Sequence, residues 1–191
     1  MTLHRFRRCE LAPQPWKNGG GSTQEIVCWP VGSELADFDW RISIAHIDRS
    51  GPFSTFSGVD RVITLLDGAG VELRSAESQI AHRLDTPLQT FAFSGDDLLH
   101  AELLGKDCYD FNVMTRRATC VANVQVHHEG TALAGSTQGL LFTVQGKWAV
   151  TIAGEIHLLD EADGLWWQDE HEPVLLAPDF AGSALISVLV H

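Results

Sequence analysis

Short apolar runs recur at intervals of about ten residues along the chain, with Gly, Pro, Asp or Ser between them. This spacing is typical of an all-β sandwich or barrel, and no stretch shows sustained helical periodicity. The pattern therefore predicts an all-β fold. The predicted strands lie at residues 25–29, 40–47, 61–66, 70–73, 89–93, 98–104 and 109–114, and in a second series at 120–126, 139–144, 148–153, 155–159, 164–167, 173–177 and 184–190.

Two segments, 63–73 and 149–158, resemble each other in the order apolar strand, glycine turn, apolar strand. A chance match between two hairpins is the alternative explanation. A true repeat favours two related β-barrels in tandem. We then expect a first barrel at 1–118, which carries any ligand pocket, and a second at 119–191, the two being tightly packed as one compact unit.

Residue alternation within two predicted strands, 40–47 and 109–114, separates an apolar face from a polar one. The polar faces carry Arg41, Ser43 and Ala45 on the first strand, and Asp110 and Asn112 on the second. These faces could line one cavity, or both could face water on the outside of a sheet. The alternation alone leaves both options open.

The composition indicates a soluble cytoplasmic protein. The hydrophobic content of 45% is ample for a folded core, and no apolar run approaches the roughly 20 residues of a membrane span. The four cysteines are scattered without a Cys-x-x-Cys pair, so buried free thiols are expected rather than disulfides or a zinc knuckle. No membrane partner is predicted, and a homodimer is one option for the assembly.

The net charge of −12 argues against a nucleic-acid partner, because phosphate binding requires clustered Lys and Arg. Residues 1–117 hold 12 of the 13 basic residues, whereas residues 118–191 hold only Lys147. An anion site is therefore expected in the first part of the chain. The candidate cations there are Lys17, Arg41, Arg61, Arg74 and Arg83.

The stretch PWKNGGGSTQEI at residues 15–26 places three glycines among polar side chains. Glycine allows conformations with positive φ and close approach of the backbone to another group, so this loop could surround a small anion. The alternative is a flexible turn before a strand that begins near Glu25.

Several spaced motifs together resemble the HutD/Ves family, bacterial proteins of the cupin superfamily associated with histidine utilisation. The motifs are PWKNGGG at 15–21 with Thr23 and EI at 25–26, WRISIA at 40–45, GPFS at 51–54, GVDR at 58–61 and DFNVM at 110–114. The resemblance implies a bicupin, two small antiparallel, jelly-roll-like β-barrels. This agrees with the strand pattern and with the repeat.

Cupins often hold a metal with two His one residue apart, a following Glu and a later His, and this spacing is missing. His127 and His128 are adjacent, so on a strand they point to opposite faces and cannot readily chelate one ion. We expect a metal-free cupin without a cofactor.

The resemblance implies a pocket in the first barrel that suits a carboxylate. Arginine presents a planar fork of donors, lysine adds a point charge, and glycine N–H groups can close around an oxygen. Phe53, placed by the rigid Pro52, could cover the apolar part of a ligand. Glu25 and Asp110 are expected to hold Arg or Lys in place. The expected ligand-binding residues are Lys17, Asn18, Gly19, Gly20, Glu25, Arg41, Ser43, Phe53, Arg61 and Asn112.

Two classes of function follow. The first is a binding protein, a sensor or regulator of histidine breakdown that recognises a small acid such as urocanate or formylglutamate. The second is a metal-free isomerase, lyase or hydrolase acting on a carboxylated intermediate, with Lys17 or Glu25 as acid or base. An interaction protein comes third, and an exposed Trp166-Trp167 pair would support it.

Overall fold

The computed structural model describes residues 2–191, which form nineteen β-strands and a short 3-10 helix at Arg8–Glu10. The predicted all-β fold is confirmed. The strands are β1 (Thr2–Arg7), β2 (Pro13–Pro15), β3 (Gly21–Trp29), β4 (Trp40–Ile47), β5 (Gly51–Pro52), β6 (Val59–Gly68), β7 (Val71–Ser75), β8 (Ile80–Leu84), β9 (Thr90–Ser94), β10 (His100–Leu103), β11 (Cys108–Arg116), β12 (Ala122–His127), β13 (Thr131–Leu133), β14 (Gln138–Gln145), β15 (Trp148–Ile152), β16 (Glu155–Leu159), β17 (Asp163–Gln168), β18 (Val174–Pro178) and β19 (Ala184–Val190).

Every strand predicted from the sequence overlaps one of these strands. The strands missing from the prediction are β1, β2, β5, β8 and β13. Most of them are very short or largely exposed, and therefore lack a clear apolar run. Within residues 2–191, no helix has the length and apolar character needed to cross a membrane.

The chain divides into two compact units. The N-terminal unit is Ala12–Cys120, and the C-terminal unit combines the residues up to Leu11 with Val121–His191. The sequence analysis placed the first residues in the first barrel. In the structure β1 pairs with β17 of the C-terminal unit along its whole length.

The N-terminal unit contains two antiparallel sheets, ordered β2-β3-β4-β11-β6-β9 and β5-β10-β7-β8. Side chains of both sheets share one apolar cluster, to which β6 contributes Ile63 and Leu65 and the second sheet contributes Leu73 and Leu84. The core of this unit therefore lies between its two sheets.

The C-terminal unit is also built from two antiparallel sheets, ordered β1-β17-β14-β19-β12 and β13-β18-β15-β16. Its apolar cluster includes Trp148 and Val150 from β15 together with Trp167 from β17. Trp166 and Trp167 are both buried, so the exposed tryptophan pair considered as a contact patch does not exist.

The two units share one topology. The orders β5-β10-β7-β8 and β4-β11-β6-β9 recur as β13-β18-β15-β16 and β12-β19-β14-β17, with every strand number raised by eight. The repeat seen in the sequence is thus present, but the matched segments are not equivalent. β15 and β16 form a paired hairpin, whereas β6 and β7 belong to different sheets, so β15 corresponds to β7. Apolar strands on either side of a glycine turn are common to many strand pairs, so this pattern does not show which strands of the two units correspond.

Candidate functional site

A cavity of about 590 Å³ opens in the N-terminal unit. Its walls come from strands β2, β3, β4, β5, β6 and β11, from the loops on either side of β3, and from the segment after β5. The lining residues are Gln14, Pro15, Trp16, Lys17, Asn18, Thr23, Leu35, Arg41, Ala45, Pro52, Phe53, Ser54, Thr55, Phe56, Arg61, Asp110, Asn112 and Met114. The volume lies in the range of pockets that hold small organic molecules.

Four of the five residues on the polar faces predicted from strand alternation form the floor of this cavity, and the fifth, Ser43, does not line it. Pairing of β11 with β4 and β6 brings the side chains together in rows across the sheet. The rows are Arg41, Met114 and Arg61; then Ser43 and Asn112; then Ala45 and Asp110. All of these residues are buried, so the alternative in which these faces meet water is wrong.

Arg61 is one of two buried arginines that line the cavity, at 9% exposure, beside Arg41 at 8%. Its Nε and Nη2 donate to Oδ1 of Asn112 at 3.3 and 3.0 Å, and its Nη1 donates to the carbonyl oxygen of Ser54 at 3.4 Å. Within residues 2–191, no carboxylate oxygen lies within the 4.0 Å of an ion pair with Arg61. Burial lowers the pKa of Arg61 to about 10 against the raising effect of Asp110, so the guanidinium stays charged at neutral pH.

Three aromatic rings surround the Arg61 guanidinium. The guanidinium carbon lies 5.0 Å from the ring centre of Phe93, 5.3 Å from that of Phe53 and 5.7 Å from that of Phe56. Cation–π contacts of this length partly replace lost hydration. Phe53 therefore lies beside the cation and lines the cavity.

Arg41, in contrast, has an ionic partner. Its Nε donates to Oε2 of Glu25 at 2.7 Å, and its Nη1 contacts Oγ of Ser43 at 3.4 Å. Glu25 and Ser43 do not line the cavity themselves. Instead, they bind Arg41, which does line the cavity. The sequence analysis expected this holding role for Glu25.

Among the cavity-lining residues that the structure describes, Asp110 contributes the one carboxyl group. It is 3% exposed, and its Oδ1 has no hydrogen-bond partner within residues 2–191. Burial raises the pKa of Asp110 to about 7, while Arg61 acts in the opposite direction. The sequence analysis expected Asp110 to hold a cation, but the structure gives it no ion pair with Arg61.

The glycine-rich loop has a defined conformation. Gly19 adopts φ +67°, and its N–H donates to the carbonyl oxygen of Trp16 at 3.0 Å. The N–H of Gly20 donates to Oδ1 of Asn18 at 3.0 Å. These two N–H groups are therefore used within the loop and do not close around an anion as expected. Exposed Lys17 lies at the rim of the cavity.

Gly20 lines a smaller neighbouring cavity of about 140 Å³, whereas Gly19 lines neither cavity. Several lining residues were not predicted as ligand contacts. Ala45 and Met114 could have been found, since they alternate in step with Arg41 and Asn112. Thr23 lies in β3, ahead of the predicted strand start at residue 25. Trp16, Leu35 and Phe56 lie in loops without a periodic signal.

Other predicted candidates lie elsewhere. The exposed arginines Arg74 and Arg83 pair with Glu72 and Asp85, respectively, outside the cavity. No group of three or more His, Cys, Asp and Glu side chains in residues 2–191 is arranged to hold a metal ion. The four cysteines are free, and Cys108 is buried as expected, whereas Cys28 and Cys120 are half-buried. The expectation of a buried thiol is wrong for Cys9, which is exposed because it lies within the 3-10 helix Arg8–Glu10, where no residue is buried.

A family model, a curated relative and a solved structure all place this chain with HutD and Ves proteins. Residues 8–184 match the family model described as HutD. Protein Ves of Escherichia fergusonii is 39% identical over 162 residues, covering 84% of this chain and 81% of that protein. HutD from Pseudomonas fluorescens SBW25 has a TM-score of 0.82 and 32% identity over 100% of both chains.

A conserved protein of unknown function from Pseudomonas aeruginosa PAO1 has a TM-score of 0.90 and 31% identity, covering 100% of this chain and 99% of that one. A Cupin 2 conserved barrel domain protein from Leptotrichia buccalis has a TM-score of 0.64 at 8% identity, covering 98% and 96%. The fold is therefore that of a cupin. Within that class, the chain belongs to the HutD family.

Proposed function

We propose that the cavity of the N-terminal unit binds a small carboxylated metabolite of the urocanate or formylglutamate type. The protein then acts in the cytoplasm as a sensor or regulator of histidine utilisation, a role supported by its membership of the HutD family. Neither a nucleic acid nor a membrane is part of this proposal.

The unpaired charge of Arg61 carries the proposal. A buried guanidinium normally has an anionic partner, because removing a charge from water is costly. Arg61 instead has amide and carbonyl acceptors and three aromatic rings, and it lines an open cavity. A ligand carboxylate would supply the missing anion through charge-assisted hydrogen bonds.

The remaining lining residues fit a compact, partly apolar acid. Arg41 adds a second positive charge to the floor, and Glu25 reduces the net charge there by pairing with it. Phe53, Phe56 and Trp16 offer apolar area for the body of the ligand.

An enzyme remains the second candidate, and Asp110 is the observation that favours it. A buried carboxyl group with a pKa of about 7 can accept or release a proton at neutral pH. Lys17 and Glu25, which the sequence analysis considered as catalytic acid or base, fit that role less well. Glu25 is paired with Arg41, and Lys17 is exposed at the rim of the cavity.

Thermal-shift and calorimetric titration with urocanate and N-formylglutamate tests the binding function. Arg61→Gln should abolish binding, whereas the matched variant Arg74→Gln, on an exposed arginine outside the cavity, should leave it unchanged. Loss of binding in both variants, or in neither, would contradict the proposal. Product analysis of each bound acid separates the sensor from the enzyme. Binding without turnover supports the sensor, whereas turnover that Asp110→Asn abolishes supports the enzyme.

A further inference from the structure

In the C-terminal unit, the sheet β13-β18-β15-β16 is apolar on both faces. Its inner face contributes Val150 and Leu176, among others, to the core of that unit. Its outer face consists of two rows of paired residues: Ala132, Leu175, Thr151 and Ile156 in one, and Ala177, Ala149 and Leu158 in the other. Leu158 is 70% exposed, Ile156 69% and Leu175 50%, whereas antiparallel sheets commonly present polar side chains to water. Contiguous exposed apolar patches of this kind mark interaction sites.

The equivalent sheet of the N-terminal unit, β5-β10-β7-β8, has a polar outer face. The hairpins β7-β8 and β15-β16 each contain five residue pairs, which match one to one. By this match Leu158 corresponds to the exposed Arg83. Leu175 likewise corresponds to the exposed His100 of β10. The shared topology therefore accepts polar side chains at these positions, so the fold alone does not explain the apolar outer face of the C-terminal unit.

Charged residues border this apolar face at both ends of its strands. At one end, Lys147 Nζ lies 2.7 Å from Oδ1 of Asp160. This contact raises the pKa of Lys147, as does nearby Asp179. At the other end, Glu155 begins β16 and the exposed Glu172 precedes β18.

Arg5 adds a positive charge beside β16, where its Nη2 donates to the carbonyl oxygen of Leu158. The acidic residues at the strand ends still outnumber Lys147 and Arg5, so the border has a net negative charge. Charge complementarity therefore favours a partner that carries Lys or Arg. It disfavours a second copy of this chain, because two identical faces would bring two acidic borders together.

The area of the apolar face also argues against a stable dimer. Each position on one face of a sheet covers about 4.8 by 7 Å, so the seven outer positions cover roughly 230 Å². A standard interface buries about 800 Å² on each partner. The small residues Ala149 and Thr151 of β15 lie between Leu158 and Ile156 of β16 on one side and Leu175 of β18 on the other, which leaves a shallow groove. Such a groove suits one amphipathic helix.

We propose that the outer face of the sheet β13-β18-β15-β16 binds a segment of a partner protein that is apolar on one side and carries Lys or Arg beside it. The apolar side of the segment lies on the two rows of Ala, Ile, Leu and Thr, and its basic residues meet the acidic border. The small area makes this a weak, transient complex. The role is independent of what the cavity of the N-terminal unit binds.

Two synthetic peptides test the chemistry of the partner on the unmodified protein. Both are amphipathic helices of about 14 residues, one built from Leu and Lys and the other from Leu and Glu in the same order. Fluorescence anisotropy should show that the Leu/Lys peptide binds at least about tenfold more tightly. Equal binding of the two peptides, or binding of neither, would overturn the proposal.

Leu158→Arg tests whether the peptide binds on this face. The variant introduces the residue type found at the equivalent position of the N-terminal unit, and it should weaken binding of the Leu/Lys peptide about tenfold. Leu98→Arg is the matched control, since it adds the same charge at a leucine of the N-terminal unit that is 58% exposed. The control should bind as the unmodified protein does. Equal affinities in all three proteins would contradict the proposal.

Methyl NMR of the unmodified protein gives a second measurement that needs no variant. Addition of the Leu/Lys peptide should shift the methyl signals of Ala149, Ile156 and Leu158 and leave that of Leu98 in place. Shifts confined to other parts of the protein would mean that the peptide binds elsewhere, and the proposal would fail.

Analytical ultracentrifugation and vesicle flotation test the other occupants. A dimer of the unmodified protein that Leu158→Arg dissociates would assign the face to a second copy of this chain. Flotation with phosphatidylcholine vesicles that the same variant abolishes would assign the face to a membrane. Either result would overturn the proposal, whereas a monomer that stays apart from the vesicles supports it.

Discussion

Asn112 fixes the Arg61 guanidinium by accepting two of its hydrogen bonds with one oxygen, at 3.3 Å from Nε and 3.0 Å from Nη2. The two residues lie on neighbouring strands, β11 and β6, but in different rows of the sheet. The arginine side chain therefore reaches along the sheet from its own row to the row of Asn112. The direction of this cation depends on an amide and not on an opposite charge.

Replacing Asn112 by Ala should weaken binding of urocanate or N-formylglutamate about tenfold, because Arg61 loses its orientation and the oxygen that accepts two of its hydrogen bonds. Calorimetric titration measures the effect. Asn123→Ala, on an exposed position of β12, is the matched control and should bind as the unmodified protein does. Unchanged affinity in Asn112→Ala would show that Asn112 does not position the cation.

Glu25→Ala should destabilise the fold by about 2 kcal/mol, since it leaves the buried Arg41 without its ionic partner. Urea unfolding measures the change. Glu72→Ala breaks the pair with Arg74, whose side chain is largely exposed, and should cost less than about 1 kcal/mol. Equal losses in the two variants would mean that burial of Arg41 does not set the cost.

Strand alternation predicted the polar floor of the site because a period of two fixes which side chains share a face. Arg41 and Ser43 on one strand and Asn112 on another could therefore be assigned before their pairing was known. The pairing itself, with Ser43 opposite Asn112, depends on the tertiary fold. The sequence also could not show that both faces of β4 are buried.

Loop residues escaped prediction for a physical reason. Leu35 and Phe56 reach the cavity from segments without periodic structure, so nothing local indicates their direction. The pairing of β1 could not be predicted either, because its partner β17 lies near the other end of the chain and no local pattern links the two strands. The glycine-rich composition around Gly19 and Gly20 predicted a loop whose N–H groups bind an anion. In the structure these N–H groups donate to Trp16 and Asn18 of the same loop.

Gly21→Ala should destabilise the protein by about 3 kcal/mol, because the backbone of β4 leaves no room for a side chain. A Cβ atom at Gly21 would lie 2.0 Å from the carbonyl oxygen of His46 and 3.1 Å from the ring of Trp16. Gly51→Ala is the matched control, since its Cβ would meet nothing within 4 Å. Thermal unfolding compares the two, and a stable Gly21→Ala protein would contradict the close approach.

The pKa of Asp110 also predicts how stability depends on pH. Its value is about 7 in the folded protein against 3.8 ordinarily, so between these values the folded state holds a proton that the unfolded state has released. Stability should therefore fall as the pH rises from about 4 to about 7, by up to about 4 kcal/mol from this group. Above about 7 both states have lost the proton, and the contribution no longer changes.

Asp110→Asn removes this titration while keeping the shape of the side chain. We expect the variant to be more stable than the unmodified protein at pH 8 and to lose most of the decline between about pH 4 and about pH 7. Urea unfolding over this range measures both curves. Asp85→Asn, at an exposed carboxyl outside the cavity, should reproduce the unmodified curve. Parallel curves for Asp110→Asn and the unmodified protein would show that Asp110 is ionised in the folded state throughout, and hence that its burial does not control its charge.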